Sequence, residues 1–329
     1  MKFLVIQTAF IGDVILATSV LEKLHVHYPD AQIDFLVQKG NASLVRGHPF
    51  LHAVLVFDKK QGKLQSMWKI INRVRQERYD VVINLHRFLS SGLMTALSGA
   101  KKTFGFDKNP MSRSFTSRIK HEISVRGTLH EAQRNLLLIS SLTDGDLSTR
   151  PRLYPSSDAY LKVKQDEEYV CIAPASVWFT KQWPVPKWIE LIDRLADRYL
   201  IFLLGSKQDK ELCMQIKDAV KASRVQILAG ELTLLESAAL MQRARMNYVN
   251  DSAPLHLASA MNAPVTSVFC STVPAFGFGP LSDKSFVIET SHVLDCRPCG
   301  LHGYRACPMG HFKCADIGVS LLIEKIELS

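Results

Sequence analysis

An aspartate stands where the first apolar run of the sequence gives way to a second one, in "KFLVIQTAFIGDVILATSV" (residues 2–20). Two roles suit Asp13 at such a strand-to-helix junction. It can cap the helix, because aspartate accepts hydrogen bonds from the first backbone N–H groups. It can also act as a general base, because a carboxylate near a helix N-terminus stays ionised at pH 7 and accepts a proton. The residue type and its position leave both roles open.

A hydroxyl and a cation follow a strand-like run in the second half of the chain, in "APASVWFTKQWP" (173–184). Ser176 can donate a hydrogen bond to a phosphate, and Lys181 is a point charge of the kind that binds one. A polar loop with aromatic packing is the alternative. The segment predicts a phosphate contact without excluding a purely structural loop.

A second anion-binding pattern is the segment "NDSAPLHLASAMNAP" (250–264). Asp251 and Ser252 occupy a turn, and Pro254 fits the first turn of the small-residue helix that follows. The positive end of such a helix suits a diphosphate. His256 lies in the first helical turn, where it either meets a ligand or packs in the interior.

Four of the seven cysteines crowd into one short segment with the spacing C-x2-C-x7-C-x6-C. They are Cys296, Cys299, Cys307 and Cys314. Four thiolates can form a tetrahedral structural zinc site, although the second pair lacks the usual two-residue spacing. Reduced thiols in a loop are the alternative, and the odd total argues against a disulfide scaffold.

A basic stretch at residues 99–126 also contains glycine, asparagine, proline and serine, so we interpret it as a long loop. Its candidate acceptor-binding residues are Lys101, Lys102, Arg113, Arg118 and Lys120. Such a loop could meet a phosphorylated acceptor or an anionic bilayer, or it could simply be solvated.

The composition is that of a globular protein, with 47% hydrophobic and 22% charged residues and a formal net charge of +9. A basic balance favours nucleotides, anionic lipid head groups or nucleic acid as partners. No apolar run approaches the roughly 20 residues of a membrane-spanning helix. The first residues do not resemble a signal peptide, because Gln7 and Asp13 interrupt the apolar stretch. We therefore expect a cytoplasmic protein.

The elements that must position these residues are short apolar runs alternating with helical patterns, which predict an α/β fold with parallel sheets buried on both faces. The predicted strands lie at 2–7, 33–38, 53–58, 80–85, 169–174, 199–205, 225–230, 246–251 and 264–269. A polar segment at 144–168 is interpreted as a linker between two domains, 1–155 and 156–329. Ligands of such folds bind beyond the carboxyl ends of strands, where the candidate residues are expected.

Taken together, the motifs resemble glycosyltransferase family 9, the heptosyltransferases of lipopolysaccharide core assembly. The matching segments are "FIGDVILATSVLEKLHVHYPDAQIDFLV", "INLHRFLSSGLMTALSGAKKTFGFD", "HEAQRNLLL", "PASVWFTKQWP", "NDSAPLHLASAMNAPV" and the cysteine-rich tail. The resemblance implies a GT-B fold, in which two Rossmann-like domains face each other across a cleft. The first domain would bind the acceptor and the second the nucleotide sugar. The last helix, at about 315–327, would pack back on the first domain.

The resemblance also implies an inverting, metal-independent transfer of a heptose from an ADP-activated donor to the lipid A–core glycolipid. Asp13 matches the family's catalytic base. The donor contacts would fall on Ser176, Lys181, Asp209, Asp251, Ser252, Ala253 and His256. Many members have glycine at the position of Ala253, and some have a hydroxyl residue where Val177 stands, so the donor sugar and base stay open. A monomer acting at the cytoplasmic surface of the inner membrane is expected.

Two other classes of function remain. A sugar-nucleotide epimerase, or a transferase of a different sugar, could use the same scaffold. A zinc-stabilised nucleic-acid-binding protein would account for the net charge and the cysteines. It would require aromatic or helical readers within the basic stretch, where only three phenylalanines occur, so no nucleic-acid partner is expected.

Overall fold

The computed structural model describes residues 1–59 and 62–328 and divides the chain into two compact units. The first unit comprises Met1–Ile123 and Leu129–Tyr154, and the second comprises Ser124–Thr128 and the chain from Pro155 onward. The main division therefore falls inside the polar segment 144–168. That segment also contains the first helix of the second unit, Ser157–Lys162.

The first unit contains a six-stranded sheet in the order β3-β2-β1-β4-β5-β6, with every neighbouring pair parallel. Its strands are β1 (Lys2–Gln7), β2 (Gln32–Gln38), β3 (Ala53–Phe57), β4 (Val81–Asn84), β5 (Lys102–Phe106) and β6 (Ser117–Ile119). Its helices are α1 (Ile11–His27), α2 (Ala42–Val45), α3 (Lys63–Glu77), α4 (Leu89–Ala96) and α5 (Glu131–Leu137). The chain order reverses between β1 and β4, so their carboxyl ends form the crevice where ligands bind in such sheets.

The second unit repeats this plan with the strand order β12-β11-β10-β7-β8-β9, again entirely parallel among the described residues. Its strands are β7 (Tyr169–Ala173), β8 (Leu200–Leu203), β9 (Val225–Ile227), β10 (Met246–Asn250), β11 (Val265–Phe269) and β12 (Ser285–Glu289). Its helices are α6 (Ser157–Lys162), α7 (Val185–Leu195), α8 (Lys210–Ala219), α9 (Leu234–Arg243), α10 (Ala253–Ala260) and α11 (Val319–Glu327). The order reverses between β7 and β10.

The central strands are buried because helices cover both faces of each sheet, as their unbroken Val, Ile and Leu content predicts. The predicted α/β class with two Rossmann-like parallel sheets is therefore confirmed. Helix α7 begins one residue before Pro186, which suits its first turn, and it buries Trp188, Leu191, Ile192 and Leu195 against the second sheet. Among the described residues no helix combines the length and hydrophobicity needed to cross a bilayer.

The interpretation of residues 99–126 as one long loop is wrong, because this stretch contains β5 and β6. Gly105 interrupts the apolar pattern of β5, and the Phe115 ring packs where its side chain would be, 2.5 Å from an ideal Cβ. Strand β6 has only three residues, of which Arg118 is exposed. A strand with a glycine and a short polar edge strand both lack the continuous apolar signal of a buried strand.

The last helix packs on elements of the second unit, and the contact with the first domain that the family resemblance implies stays a prediction. Helix α11 lies against α7 and β12. Its buried side chains, Val319, Leu322 and Ile326, join the core of the second sheet. The Tyr248 hydroxyl donates to the backbone oxygen of Leu322 at 3.2 Å. The apolar face of the helix is thus used inside its own unit.

Candidate functional site

The carboxyl ends of three neighbouring strands in the second sheet hold a compact polar cluster. Lys181, after β7, places its Nζ 2.6 Å from Oδ2 of Asp251, which directly follows β10. The Thr272 hydroxyl, after β11, donates to the same Oδ2 at 2.6 Å. The side chains of Lys181 and Asp251 are only 13% and 7% exposed. The ion pair is therefore largely shielded from water, which strengthens it and fixes the ammonium in place.

Asn250, the last residue of β10, holds the Lys181 segment against the sheet. Its Nδ2 donates to the backbone oxygen of Pro174 at 2.7 Å, and its Oδ1 accepts from the backbone N–H of Trp183 at 3.0 Å. One buried side chain thus clamps both ends of the segment 174–183. Sequence reasoning missed Asn250, because its partners belong to a different strand-to-helix connection.

Helix α10 directs its N-terminus to the same edge of the second sheet. Ser252 is its N-cap residue, but the hydroxyl interacts with the backbone oxygen of Asn250 at 3.4 Å and does not cap the helix. Ala253 is the first helical residue, and Pro254 follows it in the first turn. His256 is buried, with its ring centroid 6.4 Å from that of Phe278. The first-turn N–H groups and Lys181 form two sources of positive potential at one edge.

The cysteine-rich segment contacts the backbone that follows β11, which carries the Thr272 hydroxyl of the Lys181–Asp251 cluster. The Arg297 guanidinium donates to the backbone oxygens of Phe269, Cys270 and Thr272 at 3.0, 2.7 and 2.8 Å. It also forms an ion pair with Glu289. Arg297 therefore fixes the backbone that carries the Thr272 hydroxyl, a role with no local sequence signal.

The cysteine-rich segment also contacts the turn that carries Lys181. The Tyr304 backbone N–H donates to Oγ1 of Thr180 at 2.8 Å, and the Thr180 N–H donates back to the Tyr304 oxygen at 3.1 Å. The Ser271 hydroxyl donates to Thr180 Oγ1 at 3.0 Å. Gly303 permits this approach, since a Cβ there would lie 2.8 Å from Thr180 Oγ1.

Whether the four cysteines hold the predicted zinc ion stays a prediction. Among the described residues, no three His, Cys, Asp or Glu side chains converge as metal ligands, and all the cysteines are free. Cys314 is buried and packs with the apolar core of the second unit, whereas Cys296 and Cys307 are half-buried. Cys296 Sγ lies 3.9 Å from His311 Nε2. A free cysteine packs readily as a small apolar side chain, which accounts for Cys314.

Asp13 lies in the first turn of α1 but is not its N-cap, which is Phe10. Asp13 is half-buried, and the nearby backbone N–H groups of Phe10 and of Asp13 itself favour the ionised form of its carboxylate. Burial outweighs them and raises the pKa of Asp13 to about 6, with a further rise from Glu131 and an opposing effect of Arg87. The carboxylate is therefore a stronger base than the helix terminus alone would make it.

A buried charge network surrounds the Glu131 carboxylate at the start of α5. His121 Nε2 lies 3.1 Å from Glu131 Oε1, and Arg134 Nε donates to Oε2 at 2.7 Å. Nδ1, the other nitrogen of the His121 ring, is 3.3 Å from Nη1 of Arg87. The sequence "HEAQRN" contributed only to the family resemblance, and its spacing did not reveal this network.

Two further side chains at the carboxyl ends of β1 and β4 were not singled out from the sequence. His86 Nδ1 lies 3.0 Å from the Thr8 hydroxyl, and Lys59 donates to the Thr8 backbone oxygen. Burial, helped by the charges of Lys59 and Arg87, lowers the pKa of His86 to about 4. The imidazole is therefore neutral at pH 7, beside cations at the edge from which α1 and Asp13 begin.

The structure divides the basic residues proposed for the acceptor between the two edges of the first sheet, because Lys120 follows the carboxyl end of β6 whereas two of the lysines lie at the amino end of β5. Lys101 and Lys102 lie at the amino end of β5, where the Lys101 ammonium is 2.6 Å from Oδ1 of Asp80. Asp13 follows the carboxyl end of β1, a parallel strand of the same sheet, so these lysines occupy the opposite edge. Arg118 projects from β6, and Lys120 pairs with Glu122 at 2.8 Å. The exposed Arg113 lies in the turn before β6.

Asp209 and Ser176 have local structural partners. The Asp209 carboxylate accepts hydrogen bonds from the backbone N–H and the hydroxyl of Ser206, both at 2.7 Å, in a capping box after β8. Ser176 accepts a long 3.4 Å hydrogen bond from the Trp178 N–H. Its backbone oxygen accepts from Gln182 Nε2 at 2.7 Å, which shapes the turn before Lys181.

Comparison with known proteins places this chain among enzymes that transfer sugars. The family model described as "Glycosyltransferase family 9 (heptosyltransferase)" matches residues 67–301. Lipopolysaccharide heptosyltransferase 3 of Escherichia coli K12 is 28% identical over 284 residues, covering 80% of this chain and 81% of that protein.

Two solved structures share the fold over nearly the whole chain. A glycosyl transferase family 9 protein from Veillonella parvula superposes with a TM-score of 0.84 at 19% identity, covering 99% of this chain and 96% of its own. The E. coli ADP-heptose lps heptosyltransferase II superposes with a TM-score of 0.82 at 22% identity, covering 100% and 98%. At these identities the likeness concerns the fold.

Proposed function

The chain belongs to glycosyltransferase family 9, the heptosyltransferases, and from that premise we propose that it transfers a heptose from ADP-heptose to an inner-core sugar of lipopolysaccharide. The similar proteins are named for this donor and for lipopolysaccharide. Within the chain, the proposal depends chiefly on one observation: Lys181, Asp251 and the N-terminus of α10 meet at the carboxyl edge of the second sheet. This edge suits an anionic nucleotide sugar.

The donor diphosphate would bind to the Lys181 ammonium and to the N–H groups at Ser252 and Ala253. As the bond to the sugar breaks, negative charge grows on the leaving ADP, and prearranged positive groups stabilise it. Asp251 keeps Lys181 in position before the donor arrives and offers its carboxylate to a sugar hydroxyl. Because Lys181 and the helix supply the positive charge, we propose that the step needs no metal ion.

Asp13 would act as the general base. It takes the proton from the acceptor hydroxyl while that oxygen forms a bond to the anomeric carbon and ADP departs from the opposite face, which inverts the configuration. A base with a pKa of about 6 is largely ionised at pH 7 and accepts a proton more readily than an ordinary aspartate. A positioned general base contributes roughly 10²–10⁴-fold to the rate. We propose that the enzyme acts as a monomer at the cytoplasmic surface of the inner membrane.

The test is ADP release from ADP-heptose in the presence of lipopolysaccharide that lacks core heptose. Asp13→Asn should keep its dissociation constant for ADP-heptose and lose at least about 10²-fold in kcat. Lys217→Gln, at an exposed position of α8, is the control and should match the wild type. Unchanged turnover by Asp13→Asn would refute the base role. Conversion of ADP-heptose without any acceptor would instead favour an epimerase.

A further inference from the structure

Helix α3 carries an apolar pair that its packing does not require. Its inner stripe, consisting of Met67, Ile70, Ile71 and Val74, is buried in the core of the first unit. On the outer side, Leu64 is 69% exposed and Trp68 is 53% exposed. These two residues are one helical turn apart and therefore neighbours on one surface. More than half of the surface of each of these two side chains is therefore left in contact with solvent.

The same helix concentrates positive charge. Residues 59–78 contain four lysines and three arginines but only one acidic residue, Glu77. Glu77 pairs with Lys2. On α3 the side chains of Lys69, Arg73 and Arg75 are exposed, and within the described part of the chain none of them forms an ion pair. Their charge is therefore available to an external anionic surface.

We propose that the solvent-facing side of α3, where Leu64 and Trp68 line one border and Lys69 and Arg73 line the other, docks on an anionic lipid bilayer; this side is called here the α3 face. Leucine and tryptophan insert at the boundary between head groups and acyl chains, while lysine and arginine reach the lipid phosphates. Charge complementarity favours a bilayer, because a surface of many anionic head groups matches an excess of cations without requiring a specific pattern of partners.

The placement of α3 connects this surface to the reaction edge of the first unit. The helix begins shortly after the carboxyl end of β3, and Lys59 in the connecting loop donates to the backbone oxygen of Thr8. Thr8 lies between β1 and the helix that contains Asp13. The start of the α3 face is thus on the same edge as Asp13. A bilayer bound to the α3 face would bring a lipid-anchored acceptor close to Asp13, and this benefit rests on the proposed function.

Sedimentation with vesicles tests the proposal on the full chain, with phosphatidylcholine alone or with 30% phosphatidylglycerol as the probes. We expect binding only to the anionic vesicles. Leu64→Ala/Trp68→Ala should weaken binding at least tenfold, and Lys69→Gln/Arg73→Gln should weaken it by about fivefold for each charge removed. The matched controls are Leu161→Ala on α6, where the leucine is 71% exposed, and Lys217→Gln/Lys221→Gln. Both should bind as the wild type does.

Activity on a water-soluble, deacylated acceptor separates this proposal from the proposed function. The α3-face variants should keep wild-type turnover on that acceptor, which also shows that they are folded, whereas Asp13→Asn should bind vesicles normally and turn over neither acceptor. Three results would overturn the membrane role. They are equal vesicle binding by the wild type and the α3-face variants, absence of binding by the wild type, and a self-association lost in Leu64→Ala/Trp68→Ala without any change in vesicle binding.

Discussion

Replacing Asp13 by asparagine should make the protein more stable while it abolishes turnover. Burial raises the pKa of this carboxyl from 3.8 to about 6 in the native state. Ionisation of Asp13 therefore destabilises the folded protein, by roughly 3 kcal/mol at about 1.4 kcal/mol per pH unit. Asparagine keeps the shape and an acceptor oxygen for the Phe10 N–H, but it never carries the buried charge.

The sign of the effect depends on pH. Below pH 3.8 the carboxyl is protonated in both states, so the two proteins should have equal stability apart from the difference in chemistry between the acid and the amide. Between 3.8 and about 6 the unfolded state is ionised before the native state, and the penalty grows. Above about pH 6 the destabilisation caused by ionised Asp13 reaches its full value. The gain from Asp13→Asn should thus appear on raising the pH and be fully present at pH 7.5.

Urea unfolding followed by circular dichroism at pH 4.0 and 7.5 measures this gain. We expect the free energy of unfolding of Asp13→Asn to exceed that of the wild type at pH 7.5 by up to about 3 kcal/mol, and the excess to shrink to a few tenths at pH 4. Asp197→Asn, in an exposed turn after α7, is the control and should change little at either pH. A variant that is less stable than the wild type at pH 7.5 would refute the reasoning about burial.

Three further results should follow from the proposed reaction. kcat/KM should fall tenfold per pH unit below an apparent pKa near 6, which gives the pH–rate profile an acid limb. Arg87→Gln should move this acid limb to higher pH, because Arg87 favours the ionised form of Asp13. Lys181→Met should raise KM for ADP-heptose at least tenfold. Because it leaves buried Asp251 unpaired, it should also lower the free energy of unfolding by about 3 kcal/mol. Adding Asp251→Asn to this variant should restore the free energy of unfolding but not the affinity for ADP-heptose. Arg297→Ala, which removes the donors for three backbone oxygens, should raise the same KM with little change in kcat.

Measurements of pH–rate profiles check the first result, ADP-heptose titrations together with urea unfolding check the second, and steady-state kinetics with varied ADP-heptose check the third. An acid limb that does not move in Arg87→Gln would contradict the assigned electrostatics. The reasoning on Lys181 fails if the double variant is no more stable than Lys181→Met. For Arg297, a parallel loss of kcat and affinity in Arg297→Ala, left unrescued by Arg297→Lys, would indicate general unfolding of the sheet edge.

Strands with continuous apolar sequence were predictable, since burial on both faces leaves a strong signal. The pattern also placed Asp251 directly after a strand and Asp13 and Lys181 within a few residues of the carboxyl ends of strands, as the structure has them. The positions of the candidate acceptor residues Lys101 and Lys102 were harder to predict because they depend on recognising β5. Without that strand, nothing indicated that Lys101 and Lys102 would lie at its amino end, away from Asp13. Whether the residues named for catalysis and donor contact perform those roles stays a prediction.

The contacts that complete the sites were beyond the reach of sequence reasoning for a different reason. Arg297 acts on backbone oxygens, which every residue possesses, so no pattern of side chains identifies its partners. The Glu131 network joins Arg87, in the connection after β4, with His121, in the connection after β6, and with the start of α5, and only the fold brings these together. The cysteine spacing indicates a zinc site, which stays a prediction, and it does not reveal that Cys314 packs with the hydrophobic core of the second unit.

The pairing of Thr180 with Tyr304 links positions 124 residues apart, and it has a consequence for the order in which the second unit matures. Closing so long a loop is entropically expensive, so this contact forms after the strands have paired. During translation, the turn that carries Lys181 emerges well before the segment that contains its partner Tyr304. A nascent chain therefore acquires the strands of this sheet before the contact that holds the Lys181 turn, so the proposed donor site is the last part of the unit to be completed.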